Sequence, residues 1–331
     1  MAGAHRVVVV GAGSIGERHL RCFLATGRSE VAVVEIRPEL RDQMHQRYAA
    51  IALETVEAGL AWRPTAAVIA TPAPSHVELA RTFLEQEAHV LIEKPLALSM
   101  QGVPELEELA RATRCRCGVA YVYRSHGALA AMRDFVNSGE LGNAMQVVVV
   151  AGQHFPFYRP AYRETYYANR ATGGGAIQDA LTHLVNAVEW LVGPTDKLVA
   201  DAAHRVLEGV EVEDTVGVLA RNGRTLVSYA LNQHQAPNEL TITVACERGT
   251  AQCDYHANRW RSLTTPGGSW TERQAEPLER DQLFIRQANQ FLDAVEGRGE
   301  LPCPLADGVT TLRTNLAILR SVDEGGWQSV I

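Results

Sequence analysis

Residues 6–19 read RVVVVGAGSIGERH. Four successive valines specify a strand buried on both faces, because an unbroken β-branched run leaves no side for water. The run ends in Gly11-x-Gly13-x-x-Gly16, and a helical pattern opens at Ser14. A buried strand feeding a glycine-rich turn and then a helix is the opening of a dinucleotide-binding βαβ unit. Gly11 permits the tight turn, Gly13 lets backbone approach a pyrophosphate, and Gly16 lets helix pack on strand. Phosphate then lies against Gly13, Ser14 and Ile15, where free N–H groups and the helix dipole favour an anion. The competing reading is a glycine-rich turn with no ligand.

Further apolar runs follow at 30–35, 66–71, 89–93 and 117–122, separated by helical patterns at 14–27, 38–48, 75–87 and 99–113. Strand and helix in alternation predict an α/β fold, a doubly wound parallel sheet over residues 1–123. After Tyr123 the pattern changes. Helical segments near 126–137 and 176–192 flank a strand at 144–151 and an aromatic loop, and strands dominate from 197 to 265. Asn222-Gly223 between two of them signals a two-residue hairpin turn. Helices at 281–296 and 305–321 close the chain. Residues 124–331 therefore read as an α+β domain built on a large open, mainly antiparallel sheet.

The 331 residues are 46% hydrophobic and 21% charged, with a formal net charge of −7. That is the composition of a soluble globular protein of two domains. An acidic chain without a basic run argues against nucleic acid as a partner. No apolar stretch approaches the roughly 20 residues of a membrane span, and the first strand begins without a signal-peptide pattern. The six cysteines form no CxxC pair, which fits a reduced, cytoplasmic protein without a zinc site.

Glu35 ends the second strand, 19 residues after Gly16. A carboxylate there accepts from the hydroxyls of an adenosine ribose and repels a 2′-phosphate, which favours NAD. Arg37 stands two residues on, where it can pair with that phosphate, so NADP stays open as the second choice.

GAGSIGERH, ATPAPSH at 70–76, EKP at 93–95 and Asp179-x-x-x-His183 together resemble the glucose–fructose oxidoreductase/inositol dehydrogenase/MocA (Gfo/Idh/MocA) family. The resemblance implies a Rossmann domain, an open-faced sheet domain, and a homodimer or homotetramer. It also implies nicotinamide-dependent oxidation or reduction of sugars, cyclitols or related polyols. Carried over as cofactor contacts are Thr71, Pro72, His76, Glu93 and Lys94; as pocket residues Tyr123, Arg124 and His154. For His76 the bland alternative is a helix-start residue capping its own backbone.

Residue chemistry supports the same reading. Lys94 follows the carboxyl end of an apolar strand, the edge where open α/β sheets bind ligands. An ammonium there can stabilise the alkoxide-like charge that develops as hydride leaves an alcohol. Asp179 and His183, four apart on a helical pattern, share one face. The imidazole suits the hydroxyl proton, and a nearby carboxylate holds its tautomer; the resemblance implies that His183 is the acid/base and that Asp179 binds a substrate hydroxyl. On spacing alone the pair reads equally as a surface pair. In the loop at 152–170, Tyr158 and Arg163 suit a sugar, through stacking on C–H surfaces and donation to oxygens. A packing loop built on aromatic clusters is the other reading. Two further activities share this architecture: glycoside cleavage or sugar–sugar redox transfer with a retained NAD, and a non-enzymatic NAD sensor.

Overall fold

Val7, Val8, Val9 and Val10 lie at the centre of a six-stranded parallel sheet, each at most 3% exposed. The computed structural model describes residues 5–275, 278–279 and 281–330. Strand β1 (His5–Val10) pairs with β2 (Ser29–Val34) on one side and with β4 (Ala66–Ile69) on the other. With β3 (Ile51–Leu53), β5 (His89–Ile92) and β6 (Cys117–Val119), the order is β3-β2-β1-β4-β5-β6. The order reverses between β1 and β4, so their carboxyl ends open the crevice in which doubly wound sheets bind nucleotides. Helices α1 (Ser14–Ala25), α2 (Pro38–Tyr48), α3 (Val56–Ala61), α4 (His76–Glu85) and α5 (Val103–Ala112) make the crossovers.

Two of these elements lie outside the sequence reading. Strand β3 is three residues long and none of them is fully buried, so no apolar run marks it. Helix α3, which follows it, is only six residues long.

The chain divides into two units, Met1–Ser125 with Glu279–Val309 and His126–Leu278 with Thr310–Ile331. The first break lies two residues past the expected 123/124, and Glu279–Val309 returns to the first unit. Helix α9 (Gln282–Val295) belongs to the first unit, because Ala288, Phe291 and Leu292 complete the core formed by Val7, Leu20 and Phe23. The Phe23 and Phe291 rings meet edge to face at 6.1 Å. An amphipathic helix states that it has an apolar face, not which core that face enters.

The second unit begins with α6 (Gly127–Asn137), followed by β7 (Ala144–Gly152), the single turn α7 (Phe155–Tyr158) and α8 (Thr182–Val192). Strands β8 (Lys197–Ala203), β9 (Thr215–Asn222), β10 (Thr225–Asn232), β11 (Glu239–Cys246), β12 (Gly249–Asp254), β13 (Arg259–Leu263) and β14 (Thr271–Gln274) follow. Helix α10 (Leu305–Glu324) enters from the first unit, and β15 (Gln328–Ser329) closes a nine-stranded sheet, β14-β13-β12-β11-β7-β10-β9-β8-β15. Only β7 and β10 pair in parallel. Alternation sorts the two faces: Val147, Val149, Val216, Val218, Val227 and Tyr229 point into the core. Val148, Val150, Leu219 and Leu226 point the other way, 36–56% exposed.

The hairpin is one residue out of the expected register. Asn222 pairs with Thr225, so the turn is Gly223-Arg224. Asn222 is drawn into the strand by burial, its amide donating to the carbonyl of Gly193 and to Thr195 Oγ1. All six cysteines are free thiols.

Candidate active site

The glycine turn is built for close approach. A Cβ on Gly16 would fall 1.9 Å from the Gly11 carbonyl oxygen, so only glycine lets α1 start this near the strand. At Gly13 the space is open, with no atom within 4 Å of a Cβ. Gly13 caps α1 with no side chain on the first-turn N–H groups. An uncapped helix N-terminus facing open space fits a dinucleotide pyrophosphate. Gly13→Val is therefore expected to fold normally and to fill that space. NADH affinity, read by nicotinamide fluorescence, should fall at least about tenfold, the size of one lost charged hydrogen bond, with the unliganded melting temperature unchanged.

Glu35 ends β2 buried at 5% exposure. Its Oε2 accepts from the Ala12 N–H at 2.8 Å, which ties the strand end to the glycine turn. Arg37 lies over it, donating from its backbone N–H at 3.1 Å and from its guanidinium at 2.9 and 3.2 Å. Burial pushes the Glu35 carboxyl up, but the hydrogen bonds from Arg37 and Ala12 outweigh it and hold the pKa below the ordinary value. The group is thus a carboxylate at neutral pH, with lone pairs left for a ribose diol.

Along the next two strand ends, Thr71 Oγ1 meets Ser75 Oγ at 2.7 Å, and Ser75 also donates to the Pro72 carbonyl at 2.9 Å. His76 is 1% exposed, with Nε2 2.8 Å from the Thr71 carbonyl and Nδ1 2.9 Å from the Pro95 carbonyl. Burial draws its pKa below the ordinary histidine value, against the two carbonyls and Glu93. Both nitrogens face backbone carbonyls, and the neutral ring donates its single N–H to one of them. The ring ties the loop of Thr71 to that of Pro95. Glu93 is buried, and Lys94 beside it is half-buried.

Arg124 is held within the first unit. It is 4% exposed, and its guanidinium donates to Asp307 at 2.5 Å and to the Pro302 carbonyl at 3.1 Å, so it braces its own unit. Tyr123 is half-buried.

In the second unit the aromatic loop splits between two roles. Phe155, Tyr162 and Tyr167 are buried with Leu207, Val210 and Val212 in a satellite core. Their hydroxyls are spent inside: Tyr162 on the Glu208 carbonyl and Tyr167 on Gln233. Arg163 donates to that same Glu208 carbonyl at 2.7 Å and lies over the Tyr162 ring, which makes it a brace for the loop. His154 and Tyr158 stay exposed.

Where one α-helix over 176–192 was expected, Ile177–Leu181 form a π-helical turn and α8 starts at Thr182. The Thr182 N–H reaches the Ile177 carbonyl five residues back. Asp179 lies in that widened turn, a feature that clusters at functional sites. Gly174 allows the loop to close on it, because a Cβ there would fall 2.1 Å from the Tyr167 carbonyl oxygen. Tyr166, 45% exposed, donates its hydroxyl to Asp179 Oδ1 at 2.5 Å. No spacing rule singles out Tyr166 from its neighbour Tyr167; only the folded loop brings one phenol to the carboxylate and sends the other inside. Below the turn, Thr182, Asn186 and Glu189 bond with Asn315, Thr311 and Thr314 of α10 in a buried polar seam.

Glu213 holds the start of the π turn by accepting from the Ile177 N–H at 2.9 Å. Burial raises its pKa above the ordinary carboxylate value, against that hydrogen bond. The folded state then binds the proton more tightly than the unfolded chain, and this group's contribution to stability falls as pH rises. Glu213→Gln, which keeps the acceptor, should melt higher than the parent at neutral and mildly alkaline pH. The gap should close once the pH falls below the ordinary carboxylate pKa; a gap that is constant with pH would exclude burial as its cause.

Among the described residues no three His, Cys, Asp or Glu side chains gather as metal ligands. No helix among them is long and apolar enough to cross a membrane.

A parallel sheet in this order, a glycine turn at its switch point and a buried carboxylate at the end of β2 define the class of dinucleotide-binding Rossmann proteins. The sequence profile of an oxidoreductase family with an NAD-binding Rossmann fold matches residues 5–121, and that of the GFO/IDH/MocA C-terminal domain matches residues 129–252. The chain belongs to the Gfo/Idh/MocA family of NAD-binding oxidoreductases. It is 26% identical to 1,5-anhydro-D-fructose reductase of Ensifer adhaerens over 78% of each chain. It is 23% identical to inositol 2-dehydrogenase of Streptomyces avermitilis over 98% of this chain and 94% of that one. Its fold is similar to that of levoglucosan dehydrogenase, solved with NADH and levoglucosan, at a TM-score of 0.89, 19% identity and 99% coverage of both chains.

Proposed function

We propose that the protein is an NAD-dependent dehydrogenase that moves a hydride between nicotinamide and a secondary alcohol or ketone of a sugar, cyclitol or sugar-derived polyol. One observation carries most weight. Of the 31 lysine and arginine side chains only two, Lys94 and Lys197, are lysines. A chain that otherwise places guanidinium groups wherever it needs charge places an ammonium at the mouth of β5, where a compact donor serves a developing oxyanion. The family supplies the reaction class, and the relatives named for an anhydrofructose and for inositol suggest the substrate class.

NAD, when bound, supplies the hydride acceptor. Gly13, Ser14 and Ile15 hold its phosphates, and Glu35 its adenosine ribose; Thr71, Pro72 and Glu93 line its path. Arg37 is the group that would greet a 2′-phosphate, once turned from Glu35. The ammonium of Lys94 is assigned to the substrate oxygen, and the imidazole of His183 to the hydroxyl proton. Asp179 binds a neighbouring hydroxyl, with the Tyr166 phenol fixing one of its oxygens. Tyr158, His154 and Tyr123 contact the rest of the substrate.

The protein acts in the cytoplasm, without nucleic acid, as a homodimer or homotetramer. The apolar face of Val148, Val150, Leu219 and Leu226 is the surface suited to a second copy.

The test is incubation with NAD, and separately NADP, across sugars, cyclitols and sugar acids, following the absorbance of reduced nicotinamide. At least one substrate should reduce NAD faster than NADP. Silence across the panel in both directions would defeat the proposal, and tightly held nicotinamide with cleavage of a chromogenic glycoside would redirect it.

A further inference from the structure

Lys94 lies between Glu93 and Pro95, and each of those neighbours is gripped by a buried histidine from another element. His19, on α1, places Nε2 2.7 Å from Glu93 Oε1. The other carboxylate oxygen, Oε2, accepts the backbone N–H of Lys94 itself at 3.0 Å. On the far side, Nδ1 of His76 reaches the Pro95 carbonyl at 2.9 Å and Nε2 the Thr71 carbonyl at 2.8 Å. Both rings are 1% exposed. Phe284 of α9 meets His19 edge-on at 5.7 Å, which fixes the ring plane.

Polar groups this deeply buried cost free energy unless paired, so the pairings are specified rather than incidental. Their position gives them a use. A lysine head on a four-carbon stem is aimed only as well as the backbone beneath it, and here that backbone is clamped on both sides. Helix α1 also starts at the glycine turn, so one rigid element carries the phosphate grip at its N-terminus and the Glu93 clamp in its second turn.

We propose that His19 and His76 are positioning residues for Lys94. His19 acts through Glu93 and His76 through Pro95, and His19 locks the lysine to the helix that receives the dinucleotide phosphates. The proposal rests on the role assigned to Lys94 above.

The two-lysine composition makes the test direct. Lysine labelled with ¹³C at Cε gives NMR signals from Lys94 and Lys197 alone, assigned with Lys197→Arg. In His19→Leu the Lys94 signal should shift while the Lys197 signal stays. Turnover should fall about 10- to 100-fold, the cost of an ångström-scale misplacement, with NADH affinity within about twofold of the parent. His19→Gln, which returns a donor to Glu93, should recover most of that turnover and the parent Lys94 signal. His76→Asn should shift the Lys94 signal as well.

An unmoved Lys94 signal in His19→Leu overturns the proposal. So does loss of NADH affinity and turnover together in both His19 variants, which is the result of a misplaced α1. The NMR arm needs no substrate, so a parent protein inert toward every polyol would refute the functional reading while leaving the clamp decided by its own signal.

Discussion

Replacing His183 with alanine is expected to lower turnover by about two to four orders of magnitude, the usual worth of a general acid–base group. NADH affinity should stay within about twofold, because the residues proposed to hold the phosphates and ribose belong to the other unit, which folds around its own core. The reason for so large an effect is the proton. A secondary alcohol gives up hydride readily only as its hydroxyl proton departs, and among the groups assigned to substrate an imidazole is the one whose ordinary pKa lies near neutrality. The companion variant Asp179→Asn separates chemistry from architecture. It keeps an oxygen for the Tyr166 phenol, whose bond to Asp179 is 2.5 Å, and removes the charge. Its loss should be smaller than that of His183→Ala and should be confined to turnover. Comparable loss of NADH binding in either variant would contradict the division of labour. Turnover in His183→Ala within about threefold of the parent would remove the histidine from the reaction.

Lys94→Arg should be nearly as damaging, with turnover down about two to three orders of magnitude although the charge is retained. A guanidinium is planar, delocalised and bulkier, so it cannot place one concentrated donor where the ammonium stands. Lys94→Ala should match it closely. The comparison matters because Arg for Lys would be harmless if Lys94 merely balanced charge at a strand end. A Lys94→Arg protein with near-parental rates would therefore refute the chemical role. Melting temperatures of both variants should stay close to the parent's, because Lys94 is half-buried and the clamp on Glu93 uses backbone and side-chain atoms of its neighbours.

The Rossmann half was legible because its signals are local. Val7–Val10 announce a buried strand, the glycine spacing announces the turn, and Glu35 announces the end of the second strand. Each depends on residues within a few positions of one another. The parts that escaped are those whose cause is distant. Strand β3 has too few buried residues to leave a pattern, and the π turn at Ile177–Leu181 uses the same residue types as an α-helix. Arg124 was expected in the pocket from the family resemblance. Only the return of the chain to Pro302 and Asp307 shows where its guanidinium goes.

Sequence alone determined the class of each domain and the glycine turn, and nominated residues for the hydride chemistry, since periodicity and residue type are properties of short segments. Tertiary structure alone decided that α9 completes the first core, that Tyr166 rather than Tyr167 meets Asp179, and that the buried rings of His19 and His76 meet Glu93 and the Pro95 carbonyl on either side of Lys94. The physical reason is one of range. His19 and Glu93 are 74 residues apart in the chain, and a hydrogen bond between them exists only after the strands have stacked α1 beside the mouth of β5.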